Sequence, residues 1–186
     1  VTGINVGTYD NDGKSICDVI TMLCQIDGLE RVRISSIEPT TIPKKLIELL
    51  ATEKKCCPHL HIPLQAASNT ILKSMNRKYT IEEYKAFIEE ALETIPDLCL
   101  GTDLITGYPL ESKAEFDHGL AHLLTMPWHY MHVFSYSPRS FARSSKRKNI
   151  NSKLIQERSA ILRKESQKRK LAFYSKYIGK PIRVLV

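Results

Sequence analysis

Two kinds of segment alternate along this chain. Short runs rich in β-branched residues end in small or polar residues, and longer stretches with apolar residues at helical spacing lie between them. Strands that alternate with helices in this way are typical of a parallel α/β sheet or barrel, whose chemistry lies at the C-terminal strand ends. The runs predict five parallel strands that end at about Val6, Ser36, Leu64, Ile105 and Ser135.

The stretches between the runs carry helix start and stop signals. Thr80 followed by Glu83 has the spacing of a capping box, and Ser112 with Glu115 repeats it. We predict helices from Ser15 to Ile26, from Thr41 to Leu50, from Thr80 to just before Pro96, from Ser112 to just before Pro127, and from Asn151 or Ser152 to about Tyr177.

The length limits the fold. A closed eight-stranded barrel takes about 250 residues, and this chain has 186. The predicted fold is therefore a partial, open parallel β/α barrel with helices on its convex side. Its first edge is expected to be unpaired and to favour self-association. Val1 to Val6 has the pattern of a strand already under way, and Arg183 to Val186 that of a strand just beginning, so we expect a piece of a larger protein.

The net charge of +7 is unevenly distributed. Between Arg139 and Lys180 fourteen lysines and arginines stand against only Glu157 and Glu165. Such a cluster suits a polyanionic partner, nucleic acid first, and the alternative is a helical face that is merely solvated. The chain contains no run of 18 apolar residues, so the sequence predicts no membrane span.

The cysteines and histidines give weaker signals. Five cysteines without a C-x-x-C pair favour a reducing, cytoplasmic setting, and Cys56 and Cys57 are interpreted as buried thiols. His59 and His61 lie two apart on a predicted strand, but no third metal ligand is evident, so both are predicted to line the core or the barrel mouth. Trp128 is predicted to fill the barrel wall.

Six motifs in order, VTGINVGTY, RISSIEP, HLHIPLQ, MNRKYT, GTDLITGYPLE and HVFSYSPR, resemble those of the radical S-adenosylmethionine methylthiotransferases that modify tRNA. The resemblance covers nearly the whole chain. It looks closest to the branch that methylthiolates N6-threonylcarbamoyladenosine at position 37 of tRNA, because Ser35 to Pro39 reads SSIEP. The branches that act on isopentenyladenosine or on a ribosomal protein remain alternatives.

The resemblance implies two cofactors, S-adenosylmethionine and [4Fe–4S] clusters, with tRNA as partner. The family holds its catalytic cluster in a C-x3-C-x2-C loop, and the five cysteines here contain no such set. We therefore expect residues 1–178 to be a partial core barrel with a basic C-terminal helix, and residues 179–186 to begin a small RNA-binding β-barrel. The piece should be inactive alone, and no catalytic or metal-ligating residue is assigned to it.

The resemblance also implies that residues at the strand ends bind S-adenosylmethionine. Gly3 is expected to let the backbone approach the methionyl amino group. Glu38 and Gln65 are expected to bind ribose hydroxyls and the amino acid moiety. Arg77 could form a bidentate pair with the cofactor carboxylate, or it could simply stabilise a helix C-terminus. Asp103 is expected to end its strand and to bond the ribose diol.

The adenine is assigned to the later strand ends. Gly107 is expected to allow its close approach, and the segment containing Tyr136 and Ser137 to offer backbone groups to its edge. Ala66 and Leu110 depart from the family pattern and put the loop contacts beside them in question. The resemblance implies that Glu38, Gln65, Arg77 and Asp103, far apart in sequence, converge on one cleft at the C-terminal strand ends.

The basic helix supplies the predicted RNA contacts. Its side chains would neutralise tRNA phosphates with little regard to base identity. The alternative from another functional class is a catalytically silent nucleic-acid-binding α/β domain. The residues selected for phosphate binding are Arg163, Lys164, Lys168 and Arg169.

Overall fold

The computed structural model describes residues 1–147 and 149–184. Its regular elements follow the predicted alternation of strand and helix. A two-residue hairpin, β1 (Asp10–Asn11) and β2 (Lys14–Ser15), leads into α1 (Ile16–Cys24), α2 (Lys44–Thr52), β3 (His59–His61), α3 (Asn69–Ser74), α4 (Ile81–Thr94), β4 (Cys99–Thr106), α5 (Lys113–Thr125), β5 (Tyr130–Ser135) and α6 (Ser152–Ser175).

The main sheet is parallel, with strand order β3-β4-β5. Gly101 pairs with Tyr130 and Thr106 with Ser135, so β4 and β5 run in register to a common C-terminal edge. Helices cover one face of the sheet, where the Tyr84 hydroxyl of α4 donates to Ile62 O at 2.8 Å. The predicted class, an open α/β barrel with parallel strands, is confirmed.

Two predicted strands do not form. Val6–Thr8 is a 3-10 helix, and residues 31–39 make only isolated parallel bridges, at Val32 and Ser36. The chain path is nonetheless close to that of neighbouring strands, since Ser35 N–H donates to Val1 O at 3.0 Å. These predictions were wrong because a strand requires a continuous ladder to a neighbour, and isolated bridges do not provide one.

The third strand is shorter than predicted. It ends at His61 rather than Leu64, because Pro63 has no N–H to donate and Gln65 takes a left-handed φ of 71°. The ladder resumes as a single bridge between Gln65 and Leu104. The strands ending at Thr106 and Ser135 match the prediction closely.

The helix predictions are confirmed to within a few residues. The Thr80–Glu83 capping box is present at the start of α4, and the Ser112 side chain accepts from Glu115 N–H at the start of α5. The hairpin β1–β2 was not predicted. None of the helices in the described part of the chain is long and apolar enough to cross a membrane.

Helix α6 packs along β5, the last strand of the sheet. The Ser166 hydroxyl accepts from Met131 N–H and donates to Met131 O, both at 2.9 Å. Arg163 Nη2 donates to Val133 O at 3.2 Å. Helix α6 thus satisfies three backbone groups on the outer edge of β5, namely Met131 N–H, Met131 O and Val133 O.

The C-terminal segment after α6 has no regular structure through Val184. Arg183 forms an ion pair with Glu30, and its carbonyl accepts from Arg31 Nη2 at 2.6 Å. The predicted final strand continues into Leu185 and Val186, which lie outside the described residues, as does Lys148 of the basic cluster.

Candidate active site

The strands carry two different faces. Residues on the face toward the helices are buried and mostly apolar, whereas the opposite face, here called the lumen face, carries the titratable side chains of the strands. Alternation along a strand separates the two sets. The lumen face is formed by His59, His61, Cys99, Gly101, Asp103, Ile105, Tyr130, His132 and Phe134.

A wide cleft of about 690 Å³, here called the mouth cleft, opens at the C-terminal edge of the sheet. This is where parallel α/β barrels place their ligands. Arg77, Ile105, Tyr108, Tyr136 and Ser137 are among the residues that line it. Three of the residues predicted to hold a cofactor, Arg77, Tyr136 and Ser137, therefore share one cavity.

Glu38 and Arg77 meet as an ion pair in which both side chains are about 70% buried. Helix α3 ends at Ser74, and a left-handed Asn76 (φ 61°) turns the chain so that Arg77 reaches back to Glu38. Asn5, which sequence reasoning missed, holds the other side, because its Oδ1 accepts from Glu38 N–H at 3.3 Å. A paired guanidinium here keeps free donors for a carboxylate ligand.

Two buried polar groups of the mouth cleft lack any partner. Arg77 Nε and the Tyr136 hydroxyl are both buried and make no hydrogen bond. Buried donors are normally satisfied, so orphaned ones at a cavity indicate a ligand position. The Tyr136 ring itself is fixed by an edge contact to Tyr108, with ring centroids 5.6 Å apart.

Gln65 lies beyond the end of β3, beside β4, and its N–H donates to Asp103 O at 2.8 Å. Asp103 does not end its strand as predicted, because β4 continues three residues further to Thr106. Its Oδ1 instead lies 2.8 Å from His61 Nε2 and 3.3 Å from His132 Nδ1. Burial raises the pKa of this carboxyl, and the hydrogen bonds and charges of the two histidines outweigh burial and hold the pKa below its usual value.

The predicted glycines have other surroundings. Gly107 has a φ of 80°, and a Cβ there would lie 2.4 Å from the Ile155 side chain of α6, so packing already requires glycine. Gly3 is exposed and lies outside any strand. Its predicted role at the methionyl amino group, like that of Gly107 at the adenine, stays a prediction.

A second polar layer lies deeper in the lumen. Tyr130 OH is 2.9 Å from His59 Nε2 and 3.1 Å from His61 Nδ1, and Arg33 Nη2 is 3.0 Å from His59 Nε2. Burial lowers the pKa of His59 to about 4, with a further contribution from the charge of Arg33. The prediction that His59 and His61 line the core or the barrel mouth is confirmed, since both are buried, whereas the neighbouring His132 on β5 is exposed.

The four residues selected for phosphate binding divide into two pairs. Arg169 lies 4.1 Å above the buried Trp128 ring and donates to Leu124 O at 2.8 Å, and Arg163 donates to the edge of β5. Lys164 and Lys168 are exposed. The two arginines therefore bind the barrel, and the two lysines are free to face a partner. Trp128 fills the wall as predicted.

All five cysteines are free thiols. Cys24 and Cys56 approach to 3.8 Å between sulfur atoms, and burial, together with Cys24, raises the pKa of Cys56 to about 12. Among the described residues the only grouping of three metal-ligating side chains is His61, Asp103 and His132. A [4Fe–4S] cluster, which takes thiolates, therefore has no ligand set among them.

Comparison with known proteins agrees with this architecture. Residues 6–123 match the model of the radical SAM superfamily. The chain is 38% identical over 188 residues to the threonylcarbamoyladenosine tRNA methylthiotransferase MtaB of Aquifex aeolicus, covering all of this chain and 46% of that protein. It is 35% identical over 184 residues to the tRNA-2-methylthio-N(6)-dimethylallyladenosine synthase of Endomicrobium trichonymphae, covering 98% of this chain and 44% of the relative.

Among solved structures, the radical S-adenosylmethionine methyltransferase TsrM of Kitasatospora setae, bound to tryptophan and a cofactor analogue, shares the fold. Its TM-score is 0.52 at 12% identity, over 63% of this chain and 24% of TsrM. The chain spans less than half the length of the curated relatives it matches. On the superfamily match over residues 6–123, the chain belongs to the radical SAM superfamily.

Proposed function

We propose that this chain forms the S-adenosylmethionine-binding part of a methylthiotransferase that acts on N6-threonylcarbamoyladenosine at position 37 of tRNA. The observation that carries the cofactor assignment is the pair of orphaned groups, Arg77 Nε and Tyr136 OH, in one cleft. The relatives named above support a tRNA substrate.

The mouth cleft offers complementary chemistry to the cofactor. Arg77, held by Glu38, would bind the carboxylate of the methionine moiety, and Tyr136 OH would bond a polar group of the nucleoside. Ser137 and the backbone beside it would bond the adenine edge, and Gln65 would reach a ribose hydroxyl. When bound, S-adenosylmethionine supplies the methyl group and, on reductive cleavage, an adenosyl radical.

An iron–sulfur cluster does not fit the described residues, because they contain no group of three cysteines that could hold one. The tRNA-facing surface is proposed at Lys164 and Lys168, because Arg163 and Arg169 already bond the barrel.

A test of the cofactor site compares two tyrosines. Tyr136→Phe removes a hydroxyl that has no protein partner, so stability should be unchanged within about 0.5 kcal/mol while S-adenosylmethionine binding weakens about tenfold. Tyr84→Phe is the matched control, since its hydroxyl bonds Ile62 O and Thr102. That change should lower stability by about 1–2 kcal/mol and leave cofactor affinity alone. Cofactor affinity that is equal in wild type and Tyr136→Phe would remove the assignment.

The substrate assignment needs a separate measurement. Cells that lack the gene should lose the methylthio derivative of threonylcarbamoyladenosine from digested tRNA, measured by mass spectrometry, and keep that of isopentenyladenosine. The SSIEP segment and the first relative above favour this branch. Loss of the isopentenyladenosine derivative instead would move the chain to the other branch and leave the cofactor site intact.

A further inference from the structure

Three lumen side chains from three adjacent strands meet at a single oxygen. Asp103 Oδ1 lies 2.8 Å from His61 Nε2 and 3.3 Å from His132 Nδ1. The three ligand atoms all fall within 4.8 Å of one another. Sequence spacing offered no third partner for the histidines, because the strand register, which aligns Asp103 with His132, is what brings the groups together.

The hydrogen bonds behind this cluster include an arrangement that suits metal binding. The unprotonated His59 Nε2 has a single lone pair, and both Arg33 Nη2 (3.0 Å) and Tyr130 OH (2.9 Å) lie within reach of it. Where Tyr130 donates to His59, its oxygen accepts from His61 Nδ1–H at 3.1 Å, and Nε2 of a neutral His61 is then free to bind a metal ion.

In that arrangement the Nε2 lone pair of His61 lies 2.8 Å from Asp103 Oδ1, and the two electron pairs repel unless a positive charge lies between or beside them. Ligand atoms bound 2.0–2.1 Å from a tetrahedral zinc ion are about 3.3 Å apart. His132 Nδ1 and Asp103 Oδ1 already have this separation, at 3.3 Å, and His61 Nε2 would move outward from its 2.8 Å contact when an ion enters.

Its surroundings match a metal site as well. Ligating histidines usually donate their second ring N–H to a fixed acceptor, and Tyr130 OH, 3.1 Å from His61 Nδ1, can serve as that acceptor. Tyr130 is placed by Gly101, since a Cβ at that glycine would lie 2.1 Å from the tyrosine ring. His61 is 7% exposed, Asp103 19% and His132 59%, so one side of the cluster is open toward the lumen.

We propose that His61 Nε2, Asp103 and His132 Nδ1 bind one divalent metal ion of the zinc class inside the barrel. Two imidazoles and one carboxylate leave a coordination position open, which would take water or an anionic oxygen of a ligand in the lumen. The site uses no cysteine, lies below the mouth cleft, and does not depend on the proposed function.

The test measures zinc in the intact protein after chelation and reloading. Zinc content is determined by elemental analysis, with iron counted separately, and affinity by calorimetric titration with zinc chloride. The wild-type protein should bind one equivalent at this site. Asp103→Asn and His132→Ala should each weaken zinc binding by about 100-fold, and His132→Ala should fold normally because that side chain is largely exposed.

The chain offers a matched control on helix α5. His118 is exposed and His122 partly exposed, and their Nε2 atoms lie 3.3 Å apart, a second place where zinc could bind. The double variant His118→Ala, His122→Ala should keep the tight equivalent. A cobalt-substituted protein should show an absorption spectrum without sulfur-to-cobalt charge transfer, since the cysteines are not ligands.

Three outcomes would overturn the proposal. The first is a wild-type protein that binds no zinc. The second is a tightly bound equivalent of zinc that remains in His132→Ala and Asp103→Asn. The third is a tightly bound equivalent of zinc that is lost in the His118→Ala, His122→Ala double variant. The first would show that a proton rather than a metal satisfies the lone pair of His61. The others would place the zinc elsewhere on the chain.

Discussion

Strands β3, β4 and β5 have two faces of opposite character, formed by side chains that alternate along one backbone. Toward the helices, Leu60, Ile62 and Leu104 are no more than 2% exposed. Toward the lumen, histidines, an aspartate and a tyrosine bond one another in a chain. The helix-side face holds the fold together by excluding water, and the lumen face holds polar groups in positions useful to a ligand. Changes on the first should cost stability, and changes on the second should cost binding.

The largest expected effect comes from a charge on the helix side. Arg158 of α6 is 3% exposed and bonds the buried Glu111 at 2.7 Å. Arg158→Met should destabilise the protein by about 3–5 kcal/mol at pH 7, because the carboxylate loses its partner. The exposed pair of Arg183 and Glu30 provides the control, and Arg183→Met should change stability by no more than about 0.5 kcal/mol.

This effect should depend on pH. Burial raises the pKa of Glu111 above its unfolded value, against the opposing bonds from Gly107 and Arg158. The folded state therefore holds a proton more readily than the unfolded one, and stability falls as pH rises from the unfolded pKa. Without Arg158 the pKa should rise further, so the defect measured by urea unfolding should be smaller at pH 5 than at pH 7. A loss that is equal at both values would contradict this account.

A direct comparison of the two faces gives the next largest effect. Leu104→Ala removes a buried side chain from the helix side of β4 and should cost about 2–5 kcal/mol. His132→Ala, on the lumen side of β5, should change the free energy of unfolding by no more than about 0.5 kcal/mol when measured with chelator. If both variants lost the same stability, the lumen face would be structural and the division drawn here would fail.

The smallest expected effect concerns a histidine on the helix side. Burial, with the charges of Lys176 and Arg169, lowers the pKa of His129 to about 4, and its Nδ1 accepts from Leu100 N–H at 3.0 Å. The unfolded state takes a proton near pH 6.5 while the folded state resists it, so stability should decline as pH falls from about 6.5 toward 4. His129→Asn keeps an acceptor and should reduce this decline, whereas the exposed His118→Asn should leave it unchanged.

Local signals in the sequence predicted the helices well. The capping box at Thr80 and Glu83 depends only on residues three apart, and such a signal survives any tertiary context. The strands at Val6 and Ser36 could not be predicted reliably, because a ladder depends on a partner far away in sequence. The mouth residues Glu38 and Arg77 came from the family resemblance, and no spacing in the chain indicates that they pair.

Helix α6 shows a different limit. Its charge indicated a solvated or RNA-binding surface, yet Arg158, Ser159, Leu162 and Ser166 form a buried face. The three polar residues of this face have buried partners: Arg158 bonds Glu111, Ser159 bonds the hydroxyls of Thr106 and Ser135, and Ser166 bonds the backbone of Met131. Binary patterning predicts such polar residues to be exposed. The cluster of His61, Asp103 and His132 escaped prediction for a related reason, since only the register of β4 and β5 reveals it.

The hydroxyl of Ser166 has a consequence for how far the sheet can extend. By accepting from and donating to the same residue, Met131, it takes the place of the next strand's backbone. An added chain would find that position of β5 already occupied, so α6 acts as a terminator that blocks growth at this side. The same contact holds α6 against the sheet, so the exposed lysines of α6 keep a fixed position relative to the lumen.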